Sequence, residues 1–141
     1  MILYAESSAV LSWLLGESPG ANVAQLLRDA QIVVTSELTL IECDRVFNRA
    51  LASSLIDEPE IERRRTIMSQ ASAHWHHSRI AAGVVERARQ PFPVEPVRSL
   101  DAIHLASALE ARSAMPALAL LSLDRRVRSN GRALGIPLLP R

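Results

Sequence analysis

Residues 118–139, LALLSLDRRVRSNGRALGIPLL, read as a strand, a helix and a second strand in immediate succession. Leu118 to Leu121 is an apolar run of strand length. Asp124 opens a helix that extends to Leu134 and stops at Gly135, where the missing Cβ suits a helix C-terminus. Ile136 to Leu139 is a short final strand. Buried parallel strands read as continuous apolar runs rather than alternating ones, and these two runs have that character.

The same alternation holds toward the N-terminus. Ile2 to Tyr4 is a short apolar strand, after which Ser7 or Ser8 caps a helix running to about Leu15. Ser18 caps a second helix with Pro19 at its first position, and Val23, Leu26, Leu27 and Ala30 form its apolar face. The β-branched run Ile32–Thr35 is a second strand. Ser36 caps a helix to about Ser53, with Leu38, Ile41, Val46 and Ala50 as its stripe and Glu42 and Arg45 on the same side. Asp57 and Pro59 open EIERRRTIMSQASAHW as a further helix. Residues 75–80 are ambiguous and can hold a short strand, followed by a helix over about 80–90. Pro91, Pro93 and Pro96 keep PFPVEP extended, and Ser99 caps the patterned helix LDAIHLASALEAR. Strands alternating with helices predict an α/β fold with a largely parallel sheet.

Composition bounds the function. The chain has 141 residues, 48% hydrophobic and 22% charged, as expected of one globular domain over 1–141. No apolar run is long enough to span a bilayer, and the N-terminus lacks the basic region of a signal peptide. The single Cys43 cannot form an internal disulfide, which fits a reducing, cytoplasmic setting; it is read as a small helix residue rather than a metal ligand. Net charge is only +1 with 16 basic residues, so there is no global basic field. All of those residues are Arg. The absence of Lys excludes a Walker A loop, a pyridoxal phosphate Schiff base and a phospho-receiver site.

Four acids stand at selected places. Glu6 and Asp124 fall just after strands, where ligands bind in parallel sheets. Asp101 lies in the first turn of its helix, and Glu42 faces inward on an apolar stripe. Gathered together, four carboxylates repel one another unless cations lie between them, and oxygen ligands without Cys partners suit Mg²⁺ or Mn²⁺. Each acid also has a plainer reading: Asp101 as a helix N-terminal acid, Asp124 as a cap, Glu6 as a solvated loop residue, Glu42 as a partner of Arg45 or Arg49. His104, one turn after Asp101, either hydrogen-bonds a site carboxylate or simply packs. His74, His76 and His77 lack the spacing of a zinc site and read as solvated or interface residues. Arg63, Arg64 and Arg65 read as a solvated face beside Glu60 and Glu62. Arg125, Arg126 and Arg128, adjoining Asp124, are better candidates for RNA phosphates.

These blocks resemble a known family. MILYAESSAVLSWLLGE is similar to the opening of a PIN domain, and VVTSELTLIECDRVFNRA to its second block, whose helix acid is matched by Glu42. PVRSLDAIHLASALE resembles the third block around Asp101, and LLSLDRRVRSNGRALGIPLLP the closing one, with Ser122 and Asp124 in a Thr-x-Asp-like pattern. Size and order resemble the VapC toxins of type II toxin–antitoxin pairs. The resemblance implies a three-layer α/β/α sandwich with a central, mostly parallel sheet of four to five strands. It implies an endoribonuclease cleaving single-stranded regions of RNA, with Glu6, Glu42, Asp101 and Asp124 as catalytic residues and as ligands of Mg²⁺ or Mn²⁺. Ser8, Ser122 and His104 would support them. A VapB-type antitoxin whose C-terminal segment covers the acidic groove, and a homodimer, are implied as well. The pattern departs at Glu6, where the resembling sequences carry Asp. The alternative is therefore a PIN-like protein with a weakened metal site that acts mainly by binding RNA or antitoxin.

Overall fold

The computed structural model describes residues 1–141. Five strands, β1 (Ile2–Ala5), β2 (Ile32–Ser36), β3 (His76–Ser78), β4 (Leu118–Leu121) and β5 (Leu138–Leu139), form one sheet in the order β3-β2-β1-β4-β5. Every neighbouring pair is parallel. Seven helices connect them: α1 (Ser7–Leu14), α2 (Gly20–Asp29), α3 (Glu37–Ala52), α4 (Glu58–Ser72), α5 (Ala82–Ala88), α6 (Ser99–Ala114) and α7 (Arg125–Ala133). The ambiguous stretch before Ile80 contains the edge strand β3, paired to β2 through Val34 and His76.

Strand pleating divides the interior in two, because successive side chains point to opposite faces. Leu3, Ala5, Val33, Ala119 and Leu121 pack against α1–α4 with Val10, Cys43, Phe47 and Ile61. Tyr4, Val34, Leu118 and Leu120 pack against the other layer with Phe92, Leu105, Val127 and Ile136. This is the α/β/α sandwich expected from the sequence.

Local details differ from expectation for identifiable reasons. The α1 cap is Glu6 itself, whose carboxylate accepts the Ser8 N–H, not Ser7 or Ser8. Helix α2 begins at Gly20; Pro19 has φ −98° and ψ 43°, outside helical geometry, and no side chain caps the helix. The α3 stripe is Leu38, Thr39, Cys43, Phe47 and Ala50, while Ile41 is 56% exposed. In α6, Arg98 occupies the cap position and Ser99 is already helical.

Gly20 is fixed by packing. A Cβ there would lie 2.5 Å from the Ser12 carbonyl oxygen of α1. Because the obstacle is backbone, Gly20→Ala must push α1 and α2 apart. It is expected to lower stability by about 1–3 kcal/mol, read as a reduced denaturation midpoint with unchanged slope.

Candidate active site

In the observed strand order, the chain leaves β1 for one side of the sheet and reaches β4 on the other. The crevice at the carboxyl ends of β1 and β4 is thus the topological switch point, where open α/β sheets place their ligands. Glu6 follows β1 directly, and its backbone N–H donates to the Leu121 carbonyl at 3.0 Å. The side chain is 3% exposed. Oε1 accepts from Ser7 Oγ at 2.7 Å and from the Ser8 N–H at 3.0 Å. Oε2 accepts from Ser122 Oγ at 2.7 Å and from Ser8 Oγ. A buried carboxylate needs this kind of compensation.

The serines also act in the other direction, since a hydroxyl donates once and still accepts. Ser8 Oγ accepts the N–H groups of Leu123 and Asp124, and Ser122 Oγ accepts that of Asp124 as well. The charge of Glu6 is thereby linked to the backbone that carries Asp124. Asp124 caps α7, its Oδ1 accepting from the N–H groups of Arg126 and Val127, both at 2.9 Å.

Glu42 projects from α3 toward α6 and meets His104 rather than Arg45 or Arg49: His104 Nε2 lies 2.6 Å from Glu42 Oε1. The same nitrogen is 3.9 Å from Glu6 Oε1 and 3.4 Å from Ser7 Oγ. On the far side of the ring, Nδ1 is 2.9 Å from the Tyr4 hydroxyl. Burial first, and then the charges of Glu6 and Glu42, raise the pKa of the Tyr4 hydroxyl against the lowering pull of Ser107 and Ser36, so it stays protonated. Nε2 pairs with Glu42 and Nδ1 with the Tyr4 hydroxyl, so both ring nitrogens are engaged. Cys43, beside Glu42, points into the core. Burial and the charges of Glu42 and Asp44 push its thiol up to about 12, so it remains protonated.

Asp101 is half-buried in the first turn of α6, and no donor meets its carboxylate. Its pKa is raised, by burial first and then by the charges of Asp124 and Glu6, against the lowering pull of Arg98 and His104. The four acids therefore form one neighbourhood, with Glu6 coupled to each of the others. They do not form a closed cage: no three acidic, His or Cys side chains converge as a metal-holding group. Glu6 has all its acceptor directions filled. Asp101 and the second oxygen of Asp124 are free, and Mg²⁺ commonly takes only one or two carboxylates alongside water and substrate phosphate. Asp101, Asp124 and Glu42 Oε2 are the carboxylate oxygens left for such an ion.

The arginines separate into two groups. Arg63 and Arg64 pair with Glu60, and Arg65 with Asp44. Arg128, expected at RNA, instead donates to the carbonyls of Ser122, Leu139 and Pro140, tying α7 to β4 and β5; its guanidinium is held by the fold. Arg125 and Arg126 are exposed. Ser7 and Tyr4 are the supporting residues that the sequence did not single out. Their signals were faint: Ser7 is merely adjacent to Glu6, and Tyr4 is the one polar-tipped residue in an apolar strand.

Comparison with known proteins decides the family. A PIN-domain family model matches residues 3–133. The chain belongs to the PIN-domain family. It is similar to ribonuclease VapC35 of Mycobacterium tuberculosis, at 29% identity over 137 residues, covering 96% of this chain and 93% of that protein. Among solved structures, the fold is shared with M. tuberculosis VapC20, described as a sarcin–ricin loop cleaving toxin. That structure has a TM-score of 0.64 and 15% identity, with 92% of this chain and 95% of that one covered. It is shared too with VapBC2 of Rickettsia felis bound to promoter DNA, with a TM-score of 0.65, 9% identity, and 98% and 97% coverage. FitAB bound to a DNA fragment gives a TM-score of 0.68 at 16% identity, with 99% and 94% coverage. As a PIN domain, the chain has a nuclease fold whose switch-point crevice holds the acids described above. No helix is long and apolar enough to cross a membrane.

Proposed function

We propose that this PIN domain is a Mg²⁺-dependent endoribonuclease of the VapC type that cuts single-stranded regions of RNA and is neutralised by a VapB-type antitoxin. The observation that carries the reading is the coupled acid group at the switch point, where Asp101 is disfavoured as an anion by burial and by its acidic neighbours. The similarity to ribonuclease VapC35 supports it. Asp101 and Asp124 would hold Mg²⁺, or Mn²⁺ in its place. When bound there, the ion supplies positive charge to the scissile phosphodiester and Lewis acidity to the reaction. Glu42 has Oε1 fixed by His104 and keeps Oε2 to accept the proton of an attacking water. Glu6 orders Ser8 and Ser122, and through them the turn that carries Asp124. Water adds to phosphorus in line with loss of a proton to Glu42, the P–O3′ bond breaks, O3′ takes a proton from solvent, and the ends are a 5′-phosphate and a 3′-hydroxyl.

Neutralisation follows from the same charge: a cationic antitoxin side chain entering the crevice takes the place of the metal's charge. A homodimer belongs to this reading. The test is cleavage mapping on total cellular RNA during a Mg²⁺ titration, beside matched DNA. Cleavage should saturate with Mg²⁺, stop with chelator, return with Mn²⁺ and spare DNA. Cutting that persists in chelator would overturn metal dependence.

One observation favours a second reading. Because Glu6 is filled by serine and backbone donors, it has no oxygen left for a cation, the metal site is weakened, and the chain acts mainly by binding RNA or antitoxin. Glu6→Asp separates the two readings. A large gain in Mg²⁺ affinity and cleavage supports the second, and little change removes it.

A further inference from the structure

A groove lies beside the acid cluster. A cavity of about 700 Å³ lies between the Pro-rich segment 91–97 and the start of α7, with Asp124 at its inner end and Arg98, Arg125 and Arg126 on its walls. We propose that this groove is a track for the RNA backbone, seating phosphates that flank the scissile one. This rests on the ribonuclease reading of the adjoining acids.

The first support is the state of the arginines. Arg98, Arg125 and Arg126 are exposed and make no ion pair or side-chain hydrogen bond within the chain, whereas Arg63, Arg64, Arg65 and Arg128 are engaged by it. Three unengaged guanidinium groups on one concave surface form a local basic site in a chain of net charge +1. Guanidinium is the side chain best matched to phosphate oxygens.

The second support is that the far wall is built rather than loose. Glu95 lines the groove, but its carboxylate is occupied by its own loop, Oε1 accepting from the Phe92 N–H at 2.9 Å and Oε2 from the Val97 N–H at 2.7 Å. Asn130, 1% exposed on α7, accepts the Val94 N–H and donates to the Val94 carbonyl, both at 2.9 Å. The amide thus fastens the segment to the helix that carries Arg125 and Arg126. A clamped wall opposite the helix that carries Arg125 and Arg126 holds its shape before a ligand arrives, which lowers the cost of binding.

The third support is continuity. Arg98 stands at the start of α6, three positions before Asp101, and Asp124 belongs to both groove and acid group. A strand whose scissile phosphate lies at Asp101 and Asp124 therefore runs directly into the groove. Val94, Pro96 and Leu123 are the apolar side chains of the lining, and its other six residues are charged or polar. A protein segment would ask for apolar anchors, so a phosphodiester backbone is the better match.

The test is binding of fluorescently labelled oligouridine in chelator, where cleavage plays no part, across a range of salt. Each phosphate contact on a single strand contributes about 0.7 to the slope of log K against log salt. The combined variant Arg98→Gln, Arg125→Gln, Arg126→Gln should flatten that slope by about 2 and weaken binding at low salt at least about tenfold. Arg132→Gln, at the other end of α7, should leave the slope as in the parent. A triple variant that melts like the parent and keeps its slope overturns the proposal. So does a triple variant that keeps oligouridine binding but loses binding to a polyglutamate peptide, which would assign the groove to an acidic protein segment. Neither result touches the metal-dependent cleavage, which has its own assay.

Discussion

Asp101→Asn is expected to lower Mg²⁺-dependent RNA cleavage on the order of 10²–10³-fold while leaving the metal-free fold at least as resistant to heat. The two halves of this expectation have one cause. Asp101 is half-buried among Asp124 and Glu6, with no hydrogen-bond donor on its own carboxylate. As a charge it is unfavourable in the folded chain and useful only to a cation or a cationic partner. The amide has the same shape and no charge, so self-repulsion falls and the melting temperature in chelator stays level or rises. Single-turnover cleavage beside a thermal melt measures both. A variant that cuts RNA as fast as the parent would remove Asp101 from the mechanism.

Glu6→Ala is expected to behave in the opposite way. Here the charge is welcome to the fold, because three serine hydroxyls and one backbone N–H point at it. Deleting it leaves those donors without their acceptor in a largely buried place, at a cost of about 3 kcal/mol. The variant should also blur the position of Asp124, since Ser8 and Ser122 lose the acceptor that orients them. Urea denaturation reads the first effect. Loss of cleavage under conditions where the variant is still folded reads the second. A variant within about 0.5 kcal/mol of the parent would show that the serines find equivalent partners without Glu6.

The fold was legible because its strands are continuous apolar runs and its helices lie between them. LALL at 118–121 and the β-branched run at 32–35 announce burial on both faces. Less legible were features set by contact between distant segments. Ile41 fits a helical stripe in sequence, but the face of α3 that meets the sheet is turned toward Cys43 and Phe47, leaving Ile41 outside. Pro19 fits a first helical position, but close packing of Gly20 on α1 delays the helix. For the site, the acids were visible as anions in improbable places, and strand ends explained Glu6 and Asp124. Three of the four donors on Glu6 come from its sequence neighbours Ser7 and Ser8, whereas Asp101 is followed by Ala102 and Ile103. The fourth donor is Ser122, a residue brought to Glu6 by the pairing of β1 with β4, and no local pattern announces it. Arg128 was misread for a similar reason, as its carbonyl partners include the terminal segment at Leu139 and Pro140.

The bond from Ser122 to Glu6 spans 116 positions of chain. A ribosome therefore delivers the first member of the crevice long before the last. While β4 is still being made, Glu6 has neither its sheet neighbour nor its third hydroxyl, and Asp124 does not yet exist. Long-range parallel pairing of this kind forms late and slowly. On the ribonuclease reading this order of events is protective: Asp101 and Asp124 arrive only with the closing third of the polypeptide, and a nascent chain without them lacks the acids proposed to hold the metal.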